Sequence, residues 1–143
     1  MIGGFWDNAL LLKGLYDQAL DPVAQRWSLT RMELDLLLFL HNNPDRATAA
    51  EAVRLRRWTK SHVSAAVHSL MDRGLLAAQH PAGNRKTLRL TPLPSAQPIL
   101  RDGAETQRGF FQSMRRGLTP EEEQALESAS EKIARNIRDA MKK

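Results

Sequence analysis

The chain has 143 residues, of which 26% are charged and 42% hydrophobic, with a net charge of +5 and no cysteine. This size suits one domain with its own core, and the composition excludes the collagenous and disordered classes. The lack of cysteine excludes disulfides, thiolate zinc sites and thiol redox sensing, and points to a reducing cytoplasm.

The positive charge is local. Residues 44–91 carry nine bases (Arg46, Arg54, Arg56, Arg57, Lys60, Arg73, Arg85, Lys86, Arg89) against three acids (Asp45, Glu51, Asp72), a net of +6, so the rest of the chain nets −1. Charge gathered on one module is the footprint of a surface that displaces counterions from phosphates, whereas diffuse charge serves solubility.

The N-terminal stretch has no basic leader, and its apolar residues are interrupted by Asp7, Asn8, Lys13 and Asp17, which argues against a signal peptide or a spanning helix. Phe5, Ala9, Leu12, Tyr16, Ala19 and Val23 recur at spacings of four and three, forming one helical stripe that Leu11 and Leu15 widen. That stripe suits a core helix or one shared with a second chain. Asp21-Pro22 reads as a cap followed by a first-turn proline, so the helix is expected to kink or restart there.

Thr30-Arg31-Met32-Glu33 forms a capping box that opens a helix apolar on most faces, which Asn42-Asn43-Pro44-Asp45 ends. Thr48-Ala49-Ala50-Glu51 is a second such box, opening a short helix to about Leu55. Thr59 caps a third helix. Val63, Ala66, Val67 and Leu70 fall on its inner side, while Ser61, Ala65, His68 and Asp72 fall opposite, flanked by His62 and Ser64. Gly74 stands where a left-handed cap would end it. Strands are expected at Leu75–Gln79 and Thr87–Thr91, joined by a turn-rich tip.

Helix resumes near Gln97 and runs to Arg116, with Ile99, Leu100, Phe110, Phe111 and Met114 as bulk, and Gly117 stops it. Thr119-Pro120-Glu121-Glu122 opens a last helix whose apolar side is Leu126, Ile133, Ile137 and Met141, with Lys142 and Lys143 at its far end.

The fold class is therefore mainly α with a small two-stranded β-wing: a winged helix-turn-helix, whose third helix enters the major groove. The string LTRMELDLLLFLHNNPDRATAAEAV…WTKSHVSAAVHSLMDRGLL…NRKTLRLT resembles the MarR family of bacterial transcriptional regulators. Three features carry the likeness: Leu29-Thr30 before the buried helix, Thr59-Lys60-Ser61-x-Val63-Ser64 at the third helix, and Arg73-Gly74-Leu75-Leu76 leading into a wing that closes at Leu90-Thr91.

The resemblance implies one domain over residues 1–143, with a DNA-binding lobe at 29–91 between dimerisation helices at 1–27 and 97–143. It implies a cytoplasmic homodimeric repressor on a pseudo-palindromic double-stranded DNA operator, modulated by a small aromatic or anionic effector held between scaffold and lobe. By position, Lys60, Ser61, His62, Ser64, Ala65 and His68 would meet the major groove and nearby phosphates, with Arg85 and Lys86 at the wing tip. The chain departs from the family pattern at Gly83, where an aspartate usually precedes the wing arginine by two, and at Ala65, where relatives often carry a larger polar or basic residue.

No cofactor and no metal are expected: His62 and His68, six apart, do not share a helical face. Ser64 has no histidine-acid pair to activate it, and with neither a phosphate loop nor a metal cluster the chain does not read as an enzyme. Trp58 reads as packing between the second and third helices of the module. Trp6, Trp27 and Tyr16 read as core packing or the lining of a hydrophobic cleft. The rival to DNA binding is a winged helix that serves protein assembly.

Overall fold

The computed structural model describes residues 2–142, apart from the side chains of residues 2, 3 and 5, so the expectations for Phe5 and Lys143 lie outside the described residues. Its elements run α1 (Ile2–Arg26), α2 (Arg31–Asn42), α3 (Ala49–Arg56), α4 (Lys60–Asp72), β1 (Leu76–Gln79), β2 (Arg89–Pro92), α5 (Gln97–Met114) and α6 (Pro120–Met141). They form two compact units, one ending at Arg108 and the other beginning at Gly109, with the boundary inside α5.

In the first unit α2 is the central strut. Leu34, Leu36, Leu37, Leu38, Phe39 and Leu40 are all buried, and around them gather Leu20, Val23 and Ala24 of α1, Val63, Val67 and Leu70 of α4, Leu76 and Leu90 of the strands, and Ile99 and Leu100 of α5. Fully burying each large aliphatic side chain contributes about 1.5–3 kcal/mol, so this cluster dominates the fold's stability. The capping box that starts α2 is complete: Thr30 Oγ1 accepts from the Glu33 amide at 3.1 Å, and Glu33 accepts from the Thr30 amide at 2.7 Å.

Several expectations are corrected. α1 does not restart at Asp21-Pro22 but continues through it. Proline forfeits one bond, to the carbonyl of residue 18, which sits on an exposed residue that water can serve, and the burial of Leu20, Val23 and Ala24 holds the last turns helical. The stripe of α1 is buried only toward its C-terminal end, since Leu11, Leu12 and Leu15 are exposed while Tyr16 and Ala19 are partly buried. At α3 the box is half made: Thr48 accepts from the Glu51 amide at 3.1 Å, yet Glu51 binds Arg54 at 2.7 Å. The Thr48 amide is already satisfied by the Arg46 carbonyl at 2.9 Å, so nothing draws the carboxylate back.

The wing is also shorter than expected. β1 and β2 pair antiparallel with Leu76 opposite Pro92 and Gln79 opposite Arg89. Leu88 leaves the ladder because its carbonyl accepts from the Ala49 amide at 3.2 Å, and Leu90 donates to Ala47 at 2.8 Å, so the wing's base is stitched to the entry of α3. α5 stops at Met114, two residues before the expected end, and Phe111 and Met114 are exposed.

In the second unit, Thr119 and Glu122 form a complete capping box, and Arg115 pairs with Glu123 at 2.9 Å. Leu126, Ile133, Ile137 and Met141 are exposed along α6. No helix among the described residues is long and apolar enough to cross a membrane.

Candidate nucleic-acid interface

α4 is held as a rigid rod by both ends. Thr59 Oγ1 accepts from the His62 amide at 3.2 Å at its start. At its end Gly74, at φ 70°, lets the Leu75 amide reach back to the Leu70 carbonyl at 2.9 Å, a left-handed closure that a Cβ would strain. With Val63, Ala66, Val67 and Leu70 buried, Lys60, Ser61, His62, Ser64, Ala65 and His68 are all exposed. These six therefore share one rigid element, and no acid occurs from Thr59 to Met71. His62 and Ala65 border a shallow groove of about 370 Å³ closed on its other side by Thr30 and Met32. They stand at the edge of the outer face, with Ser61, Ser64 and His68 more central.

The wing tip carries Arg85 and Lys86, both exposed. Asn84 organises it: its Oδ1 accepts from the amides of Lys86 and Thr87 at 3.0 and 3.2 Å, and its Nδ2 donates to Thr87 Oγ1 at 2.8 Å. Gly83, at φ 75°, makes the turn possible. So Asn84, next to the departing position Gly83, is the side chain that orders the tip.

The nine cations of the module divide. Arg54 is paired with Glu51, Arg56 lies 5.2 Å over the Phe39 ring, and Arg73 donates to the carbonyls of Ser28 and Trp27 at 2.8 and 3.0 Å. Among the described residues, Arg46, Arg57, Lys60, Arg85, Lys86 and Arg89 are exposed and take part in no ion pair. These six are the exposed cations of the module without an ion pair, whereas Arg73 is engaged with the turn between α1 and α2.

A recess of about 160 Å³ lies elsewhere in the same unit, lined by Tyr16, Arg31, Asp35, Leu38, Phe39, Asn42, Arg56, Trp58 and Gln107. Trp58 stands edge-on to Phe39, with ring centroids 6.2 Å apart, so it packs on α2 and not only between α3 and α4. Tyr16 accepts from Gln107 at 2.7 Å, and the Arg31 guanidinium lies 5.2 Å over its ring. Arg31 is neutralised by Asp17, Asp21 and Asp35 at 2.9, 2.9 and 2.8 Å. Burial works against its charge, but the hydrogen bonds to Asp35 and Asp21 outweigh burial and hold its pKa above the ordinary value. The three large aromatics do not share a cleft: Tyr16 lines this recess, Trp27 is bonded to Asp102, and Trp6 is exposed.

The MarR family model matches residues 27–86, which contain α2, α3, α4, β1 and the wing tip. Over this winged-helix segment the chain is similar to the MarR family.

The chain is similar in fold to a MarR regulator from Listeria monocytogenes solved with a 26mer DNA, at 18% identity and TM-score 0.76, over 98% of this chain and 90% of that one. A MarR regulator from Silicibacter pomeroyi matches at 18% identity and TM-score 0.80, covering 96% and 92%. BpsR of Bordetella bronchiseptica, whose DNA binding is regulated by 6-hydroxynicotinic acid, matches at 20% identity and TM-score 0.60, covering 90% and 98%. Comparison with curated proteins returns no match.

All eight residues expected at the interface fall inside the MarR-matched segment. Asn84 was missed, although an asparagine after glycine in a turn-rich tip is a signal for a side chain that replaces a backbone turn. The recess was missed for a different reason: its lining runs from residue 16 to residue 107, beyond any local pattern.

Proposed function

We propose that this chain is a cytoplasmic, homodimeric repressor that binds a pseudo-palindromic double-stranded DNA operator through α4 and the wing. The observation that carries this reading is the outer face of α4, exposed and acid-free from Lys60 to His68, accompanied by six exposed cations without ion pairs. A negative duplex is the polymer such a face attracts, and each neutralised phosphate releases counterions. Lys60 would contact phosphate at the start of α4, Ser61, Ser64 and His68 would meet base edges or phosphates, and Arg85 and Lys86 would reach the backbone or minor groove beside it.

Dimerisation accounts for the exposed apolar residues. Trp6, Leu10, Leu11 and Leu15 lie along α1, and Leu126, Ile133, Ile137 and Met141 along α6, each set more than two-fifths exposed in a single chain. Faces of this kind mark interaction surfaces. A twofold pair would present two copies of α4 about one helical turn apart, roughly 34 Å, matching paired half-sites.

The effector would occupy the recess beside Trp58. Its volume suits a single aromatic ring, since an engineered cavity of about 150 Å³ holds benzene. With Arg31 already neutralised by three carboxylates, Arg56 is the cation left to meet an anion there. BpsR, regulated by an aromatic acid, lends this support.

Selection from a random duplex pool tests the reading. An enriched pseudo-palindrome with half-sites one turn apart is expected. Absence of enrichment, or binding indifferent to salt, would favour the protein-assembly alternative.

A further inference from the structure

The turn between α1 and α2 is gripped from two sides. On one side is α5: Asp102 Oδ2 accepts from the Trp27 indole N–H at 2.9 Å and from the Arg26 guanidinium. On the other is the end of α4: Arg73 sends two guanidinium donors to two successive carbonyls, Ser28 at 2.8 Å and Trp27 at 3.0 Å. One turn earlier on α4, Ser69 donates to Glu33 at the start of α2, whose carboxylate also takes the Thr30 amide.

The turn itself is conformationally demanding. Ser28 has φ 55°, the left-handed region, and closes α1 by letting the Leu29 amide bond the Ala24 carbonyl at 2.8 Å. A serine held there costs about 1 kcal/mol or more and persists only where its surroundings over-determine it. The bonds that over-determine it come from α5 and α4. No buried side-chain polar atom among the described residues lacks a hydrogen-bond partner.

We propose that the Trp27–Ser28 turn is the positioning pivot of the recognition helix, with Asp102 fixing it from α5 and Arg73 transmitting its position to α4. Asp102 and Arg73 are positioning residues; neither touches DNA in this reading. Asp102 and Arg73 act in series, because one holds the side chain and the other the carbonyl of the same Trp27. A perturbation of α5 thereby reaches α4 without passing through the aliphatic core. The proposal rests on the reading of α4 as the DNA-contacting helix.

The test uses the full chain as wild type, Asp102→Asn, Arg73→Lys, the double variant, and Trp27→Phe, which removes only the indole donor. Arg73→Lys keeps the charge and loses the two-pronged geometry. In the free protein, amide exchange at Gly74 and Leu75 is expected to quicken about tenfold in each single variant, a size typical of coupling through such a network. The double variant should be no faster than Arg73→Lys alone, and exchange in the middle of α2 should not change. Wild-type exchange at Gly74 and Leu75 in Asp102→Asn and Trp27→Phe, or effects that multiply in the double variant, would overturn the proposal.

With the duplex that the wild type enriches, the same variants should lose about tenfold in affinity while keeping the salt slope, because no phosphate contact is removed. A reduced slope would show Arg73 to be a phosphate contact and end the proposal. Should the wild type enrich no duplex, the DNA reading fails, and the exchange data still decide whether Asp102 controls the end of α4.

Discussion

Gly103 on α5 lies so close to Leu38 on α2 that a Cβ at position 103 would come within 2.9 Å of Leu38 Cδ2. Leu38 is 2% exposed, and its Cδ1 and Cγ would also lie at 3.2 and 3.4 Å, so the side chain would have to shift as a whole and this glycine is what lets the two helices approach. Gly103→Ala gains about 1 kcal/mol of helix propensity but overpacks the contact at about 1–3 kcal/mol, so a net loss near 1 kcal/mol is expected by thermal or urea unfolding. Adding Leu38→Val should recover part of that loss. A Gly103→Ala protein more stable than wild type would mean the helices part at no cost.

The wing tip should depend on Asn84. Asn84→Ala removes the acceptor for the Lys86 and Thr87 amides, each hydrogen bond being worth about 1 kcal/mol. Amide exchange at those two residues should quicken while α2 stays protected. Duplex affinity should fall a few-fold, since Arg85 and Lys86 would have to be ordered on binding. Unchanged exchange at Lys86 would show that Gly83 and Pro81 suffice to form the tip.

Acid should loosen the grip of α2 on α4. Burial pushes the Glu33 carboxyl up, but hydrogen bonds from Ser69 and Thr30, with Arg73 nearby, outweigh burial and hold its pKa below the ordinary value. Asp102 follows the same pattern, with Trp27 and Arg26 outweighing burial. A folded-state pKa below the unfolded one gives stability that is present above about pH 4 and lost as pH falls through the folded value. Asp35 opposes this: burial raises its pKa, so its contribution is present in acid and lost as pH rises. The melting temperature is expected to fall below about pH 4, and Glu33→Gln should shallow that fall. An identical acid limb in Glu33→Gln would remove Glu33 from the network.

The recess can be probed with benzoate, a one-ring carboxylate. Saturable quenching of Trp58 fluorescence is expected in a chain carrying Trp6→Phe and Trp27→Phe. Arg56→Ala should weaken it about tenfold or more, the loss of one charge-assisted hydrogen bond of about 1.5–3 kcal/mol. Equal quenching in Arg56→Ala would place the anion elsewhere.

Local signals made much of this fold legible from residues alone. Thr30 with Glu33, Thr59, and Thr119 with Glu122 cap as expected, because an N-cap needs only a hydroxyl three residues from an amide. The buried face Val63, Ala66, Val67 and Leu70 follows from helical period. Competition defeated the rest. Glu51 found Arg54 before its own cap, and Pro22 was overruled by the burial of its neighbours. Arg73 looked like one more phosphate-facing cation because sequence does not show which carbonyls lie 45 positions upstream.

The central claim is that the outer face of α4 neutralises DNA phosphates, and the salt dependence of affinity measures it most directly. For the duplex enriched by the wild type, log affinity should fall steeply and linearly with log salt, and Lys60→Ala should reduce that slope by about one unit while weakening all duplexes alike. A wild-type affinity flat in salt, or a Lys60→Ala slope equal to wild type, would contradict it.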